Sequence, residues 1–297
     1  MVEPHATPIV DELPPPSRSF WGDAWSRLAR NRLALASLVI LIGITLFCVV
    51  GPWLRGYGFD AQDYSRIYAP PSAAFPFGTD DLGRDQLVRV MVGGRVSLGI
   101  GIVATAITLL IGVTYGAVAG YAGGRIGGLM MRLVDVLYAM PFTIFVIMLL
   151  AFFGRNFWLL FVAIAAVEWL TMARMVYGQV RSLKERDFVL AARMLGTPWW
   201  EIVRRHLLPN VLGVIVVYAT LTVPTVILLE SFLSFLGLGV QPPDPSWGSL
   251  IKLGAEQMTG SPHLLIIPAA FFSVTLFCLN FLGDGLRDAL DPQSRRH

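Results

Sequence analysis

Six stretches of about twenty mostly apolar residues run through this chain. They lie at roughly Leu33–Trp53, Ser97–Tyr121, Leu133–Phe153, Phe157–Tyr177, Val211–Leu236 and Leu264–Leu282. A helix of that length crosses the hydrocarbon layer of a bilayer, about 30 Å thick. In hydrocarbon every backbone N–H and C=O has to be satisfied within the chain, and long unbroken apolar runs achieve this as helices. Composition agrees: the 297 residues are 55% hydrophobic and 14% charged, against about 25% charged in soluble domains. A single globular core cannot hide so much apolar surface, so the solvent is lipid. The expected fold is an all-α bundle of six transmembrane helices.

Basic residues in the loops set the orientation. With the N-terminus inside, sixteen of the 23 Lys and Arg fall in cytoplasmic segments and seven outside, which places both termini in the cytoplasm. The first outside loop is the weak point, with Arg55, Arg66, Arg84, Arg89 and Arg95 interleaved among Asp60, Asp63, Asp80, Asp81 and Asp85. Within that loop Thr79 is read as a helix cap, with Asp80 and Asp81 at the positive helix end. The first 17 residues are acidic and Pro-rich, and the first apolar run lacks a small-residue cleavage site, so it reads as a span and not as a signal peptide. Cys48 and Cys278 sit in apolar runs and read as buried thiols, without a disulfide framework.

The net charge of +3 comes almost wholly from arginine, and no basic run argues for nucleic acid. The two lysines, Lys184 and Lys252, do not follow glycine, so the phosphate loop G-x-x-x-x-G-K-[ST] is missing from the chain. Gly112, Gly116, Gly120 and Gly124 recur every four residues, which puts them on one helix face where another helix can approach closely. That face reads either as a sliding seam or as static packing. The glycines of Tyr121–Met131 follow no strand and are not a dinucleotide fingerprint.

The segment Gly178–Asn210 is too long for a plain connection. Asp187 opens a helical stretch, Phe188–Leu195, which Gly196 breaks. Thr197 is then placed to cap a second helix, with Pro198 in its first turn, running through Trp199, Trp200 and Glu201 to Leu208 and ended by Pro209. Two adjacent tryptophans on a charged loop need a partner, either lipid headgroups or another protein.

Ala191-Ala192, then Gly196, then His206-Leu207-Leu208-Pro209 have the spacing of the E-A-A-x3-G-x9-I-x-L-P loop. In this the chain resembles the permeases of ABC-type importers, with Leu190 in place of the glutamate and His206 in place of the isoleucine. Three further stretches, Phe77–Asp85, Glu230–Gly248 and Gly283–Pro292, together with Arg30–Leu35, are similar to the C-type subunits of the dipeptide/oligopeptide/nickel branch, nearest to its oligopeptide members. The resemblance covers nearly the whole chain.

It implies a multi-pass permease of the bacterial inner membrane. Its coupling loop, carried by Ala191, Ala192, Gly196, Thr197, Pro198, Trp199, Trp200, Glu201, His206, Leu208 and Pro209, would dock on an ATPase. Implied partners are a homologous second permease, one or two ATPase subunits, an external peptide-binding protein and the bilayer. The chain itself would bind no cofactor, with ATP and Mg held on the ATPase subunits. Implied segments are a cytoplasmic tail (1–32), the first span with its external loop (33–96), the core (97–290, with the coupling loop at 178–210) and a short tail (291–297). Dipeptides, glutathione or nickel are the competing substrates. The Pro-rich Gln241–Trp247 turn reads either as an outer contact or as a plain connection.

Glu168 and Glu230 fall inside spans, where a carboxylate marks a functional or paired site. With Ser231 they are candidate translocation-path residues; the alternative is a structural pairing, for instance of Glu168 with Arg174 about two turns away, or with a partner subunit. His5, His206, His263 and His297 are scattered, and no catalytic or metal constellation is visible. A stand-alone secondary transporter would show inverted repeats and broken helices, and a membrane enzyme clustered titratable groups.

Overall fold

The computed structural model describes residues 20–154 and 157–290. All the regular elements among them are helices. A short amphipathic helix, α1 (Phe20–Arg30), leads into α2 (Arg32–Leu54), whose first turn is capped by the Asn31 carboxamide oxygen at 3.1 and 3.2 Å. After a long loop come α3 (Gln86–Ala122), α4 (Gly124–Tyr138), α5 (Phe142–Phe153) and α6 (Phe157–Leu183). Two short helices, α7 (Asp187–Met194) and α8 (Trp199–Ile202), precede α9 (Leu208–Phe235). The chain closes with α10 (Trp247–Glu256) and α11 (His263–Leu290).

Among the described residues, five helices are long and apolar enough to span a membrane. The third expected span is not one helix. It divides at Met140-Pro141 into α4 and the twelve-residue α5. Proline has no N–H to continue a helix, and it drives the preceding residue out of the α region.

The long α3 lies at the centre, packed against α6, α9 and α2, while α11 packs on α2, α9 and α10. Its contact with α6 is the small-residue seam. A Cβ on Gly112 would lie 2.6 Å from the Met172 Cβ, and one on Gly116 only 2.4 Å from the Ala173 carbonyl oxygen. Gly120 meets Val180 and the Tyr177 carbonyl in the same way. Gly124 leaves this pattern: it stands at φ +49° beyond the end of α3, with open space around it. The seam therefore ends at Gly120. Cys48 and Cys278 are free and buried.

The loop between α2 and α3 is a compact ionic unit. Asp80 accepts from Arg84 Nε at 2.7 Å, and Arg89 Nε stands 3.2 Å away, close enough to pair but misaligned for a hydrogen bond. Arg55 meets Asp85 at 2.8 Å, Arg66 meets Asp63 at 3.2 Å, and Arg95 donates to the Val49 carbonyl at 3.1 Å. All five arginines of the loop are thus engaged locally. The cap of α3 is Asp85, whose carboxylate accepts the Leu87 N–H at 2.8 Å. Thr79 caps no helix; its hydroxyl accepts the Ala69 N–H at 2.8 Å and holds the loop to itself.

Candidate functional site: the α7–α8 loop and the charged face of the bundle

The loop between α6 and α9 is built on a buried side and an open side. Val189, Ala192, Ile202, Val203 and Leu207 are buried in one cluster with Ala117 of α3 and Met172, Val176 and Val180 of α6. That cluster ties the loop rigidly to the bundle. The other side exposes Phe188, Leu190, Met194, Leu195, Trp199 and Trp200, with Met194 90% and Leu195 85% exposed. Exposed apolar side chains gathered along a charged loop suit a partner surface, either lipid headgroups or another protein. Of the alanine pair, Ala192 packs inward and Ala191 faces out.

Gly196 makes the turn at φ +76°, a conformation that glycine adopts without penalty. Its N–H donates to the Arg193 carbonyl at 2.9 Å, and that of Thr197 donates to Ala192 at 3.1 Å, closing the end of α7. Thr197 supplies no side-chain cap to α8; the cap position is Pro198.

Pro209 does not end this helix either. Val203–Leu207 form a π-helical turn, and the Leu208 N–H reaches back to the Val203 carbonyl. The wider turn absorbs the missing N–H of Pro209, which then sits in the first turn of α9. The tryptophan end of the patch, Trp199 and Trp200, and α9 thus form one rod from Trp199 to Phe235, while the α7 part of the patch joins it through the Gly196 turn. Arg193 lies over the Tyr121 ring at 4.9 Å and Lys184 donates to the Tyr121 carbonyl at 3.1 Å, so the loop also grips the end of α3. Glu201 pairs with Arg205 at 2.7 Å, and the Asn210 amide donates to the His206 carbonyl at 2.6 Å.

Glu168 is half-buried on α6 and has no counter-charge among the described residues. Arg174 pairs instead with Asp135 at 2.9 Å and stacks over Tyr138. Glu168 lies within electrostatic reach of Tyr218 on α9. Tyr218 lines a cavity of about 580 Å³ together with Met175, Asn210, Val217 and Arg287.

Glu230 and Ser231 do not join this face. Glu230 has no exposed surface and is enclosed by the hydroxyls of Ser97, Ser231 and Ser234. Ser97, Ser234 and Ser246 belong to that cage and carry no sequence signature of it, since contact between residues 97 and 230 is a product of the tertiary fold.

The model of the binding-protein-dependent transport system inner membrane component matches residues 112–296. The chain belongs to this family. A second model, the N-terminal TM domain of oligopeptide transport permease C, matches residues 19–71. The permease is 50% identical to the oligopeptide transport system permease protein OppC of Haemophilus influenzae, over 96% of this chain and 93% of that one. It is 51% identical to OppC of Escherichia coli K12, over 96% and 95% of the two chains. The dipeptide transport system permease protein DppC of Bacillus subtilis is 46% identical, over 97% and 90%. Among solved structures, the MetNI methionine ABC transporter in an inward-facing form matches with a TM-score of 0.56 at 19% identity. That match covers 68% of this permease and 96% of the MetNI chain, and it shows a shared fold.

Proposed function

We propose that this permease is the translocation subunit of an ATP-driven importer of short peptides in a bacterial inner membrane. Its relatives at about half identity over nearly full length are named for oligopeptide transport, and a dipeptide-named relative stands close behind. The observation that carries the reading is the exposed patch around Leu195 and Trp199, rigidly joined to the rod Trp199–Phe235. A separate ATPase docked there would move the bundle directly.

The chain crosses the membrane six times, with α4 and α5 as a broken third crossing and both termini in the cytoplasm. The tail 1–32, the first span and external loop 33–96, the core 97–290 with its coupling loop 178–210, and the tail 291–297 are its segments. The coupling set is Ala191, Ala192, Gly196, Thr197, Pro198, Trp199, Trp200, Glu201, His206, Leu208 and Pro209, and Glu168 borders the peptide path. A homologous permease completes the path, one or two ATPases hold ATP and Mg, and an external binding protein delivers peptide. Closure of the ATPase pair drives the coupling rod, and the bundle passes between inward-open and outward-open states.

The test is uptake of a labelled pentapeptide by proteoliposomes holding the purified complex. Uptake requires ATP and the binding protein and persists when ion gradients are collapsed. Uptake driven by an ion gradient without ATP contradicts the reading.

A further inference from the structure

Glu230 sits in α9 with no exposed surface and with no Lys, Arg or His beside it among the described residues. Three hydroxyls donate to its carboxylate: Ser97 of α3 at 3.2 Å, Ser231 at 3.3 Å and Ser234 at 2.6 Å. A serine has one proton, so each donation commits the rest of that hydroxyl to accepting. Ser97 Oγ accepts the backbone N–H of Trp247 at 3.2 Å. Ser234 Oγ accepts the backbone N–H of Val240 at 3.2 Å and the Ser246 hydroxyl at 3.3 Å. Ser246 in turn accepts the Ser249 N–H at 3.1 Å and caps α10.

The two amides flank the exposed middle of the turn between α9 and α10. That turn exposes Pro242, Pro243 and Asp244. Its far end is also plugged by Trp247, fully buried against Cys48 and Gly94, with Nε1 donating to the Val90 carbonyl at 3.0 Å.

We infer that Glu230 is the positioning residue of this turn: its two carboxyl oxygens anchor the hydroxyls of Ser97, Ser231 and Ser234, so that the N–H groups of Val240 and Trp247 both find acceptors. The cage then presents Pro242–Asp244 as a rigid surface. On the proposed function, on which this role rests, the turn faces outside and receives the binding protein, and a pre-formed surface lowers the ordering cost of docking.

Glutamine cannot replace this glutamate although its shape is the same, because its amide nitrogen only donates. Facing Ser234, it would be a third donor to an oxygen with two lone pairs. Facing Ser97 and Ser231, it would leave two buried hydroxyl protons without their acceptor.

The experiment is hydrogen exchange, read by mass spectrometry on the complex in lipid nanodiscs, paired with uptake titrated against the binding protein. Glu230→Gln raises exchange in both 238–244 and 245–250, on the order of tenfold. Ser234→Ala raises it mainly in 238–244, and Ser97→Ala mainly in 245–250. The half-saturating concentration of binding protein rises roughly three- to tenfold, with a smaller change in maximal rate. If Glu230→Gln fails to assemble, the two serine variants carry the test by their separate segments. Wild-type exchange in Glu230→Gln, or equal loosening of both segments by each serine variant, overturns the positioning role. Faster exchange with an unchanged half-saturation overturns the docking role. ATP-independent uptake overturns the transport reading and leaves the exchange pattern untouched.

Discussion

Arg174 stands 2.9 Å from Asp135, and this pair leaves Glu168, two turns above on the same helix, without a counter-charge among the described residues. An unpaired carboxylate inside a span is expensive facing lipid and is retained where it meets water or ligand. Tyr218, within electrostatic reach of Glu168, lines the cavity that reaches Arg287. Glu168→Ala is expected to lower peptide uptake by at least about tenfold, a loss of about 1.4 kcal/mol in transition-state terms, with normal expression. Glu168→Gln keeps the shape and polarity and loses less. Unchanged uptake in both variants removes Glu168 from the path.

The α3–α6 seam predicts a position-dependent response to added side chains. Gly116→Val drives a Cβ to within 2.4 Å of a backbone carbonyl that cannot step aside. The expected cost is about 1–3 kcal/mol, read as a lowered unfolding temperature of the purified permease. Gly43→Ala, on an open face of α2 with nothing within 4 Å, is the control and is neutral or mildly stabilising.

Asp80 neutralises two buried arginines at once, and Arg89 is only 4% exposed. Asp80→Asn leaves a buried positive charge uncompensated and is expected to cost on the order of 3–5 kcal/mol. Thermal unfolding measures it. Pairing Asp80→Asn with Arg89→Met recovers part of the loss, because the charge left stranded is then removed as well.

Apolar run length made five of the spans legible in the sequence, and the spacing of Gly112, Gly116 and Gly120 made the α3–α6 seam legible. The interruptions were harder to read. Pro141 divides a span because its ring acts on the residue before it, whereas Pro209 passes through a helix because a π-helical turn receives it. Proline identity alone does not distinguish the two. Thr79 is an acceptable cap by residue type, but the chain starts α3 later, at Asp85, where the ionic loop releases it. The Ala191–Gly196 loop was visible as a pattern, while the inward turn of Ala192 was not. The cage around Glu230 joins positions 133 and more residues apart, and no periodicity reports such a contact.

On the proposed function, the surface around Leu195 and Trp199 couples the bundle to a separate ATPase. The direct measurement is affinity purification of the C-terminally tagged chain from its own host in mild detergent, with co-purifying chains identified and quantified by mass spectrometry, beside a Leu195→Asp/Trp199→Ser variant. These side chains are exposed, so the fold is expected to persist. Wild type is expected to recover a second permease and an ATPase. The variant keeps the second permease and loses the ATPase by tenfold or more, as expected for removal of an interface anchor worth about 2 kcal/mol or more. Recovery of a stable, monodisperse chain alone, or undiminished ATPase with the variant, contradicts this coupling.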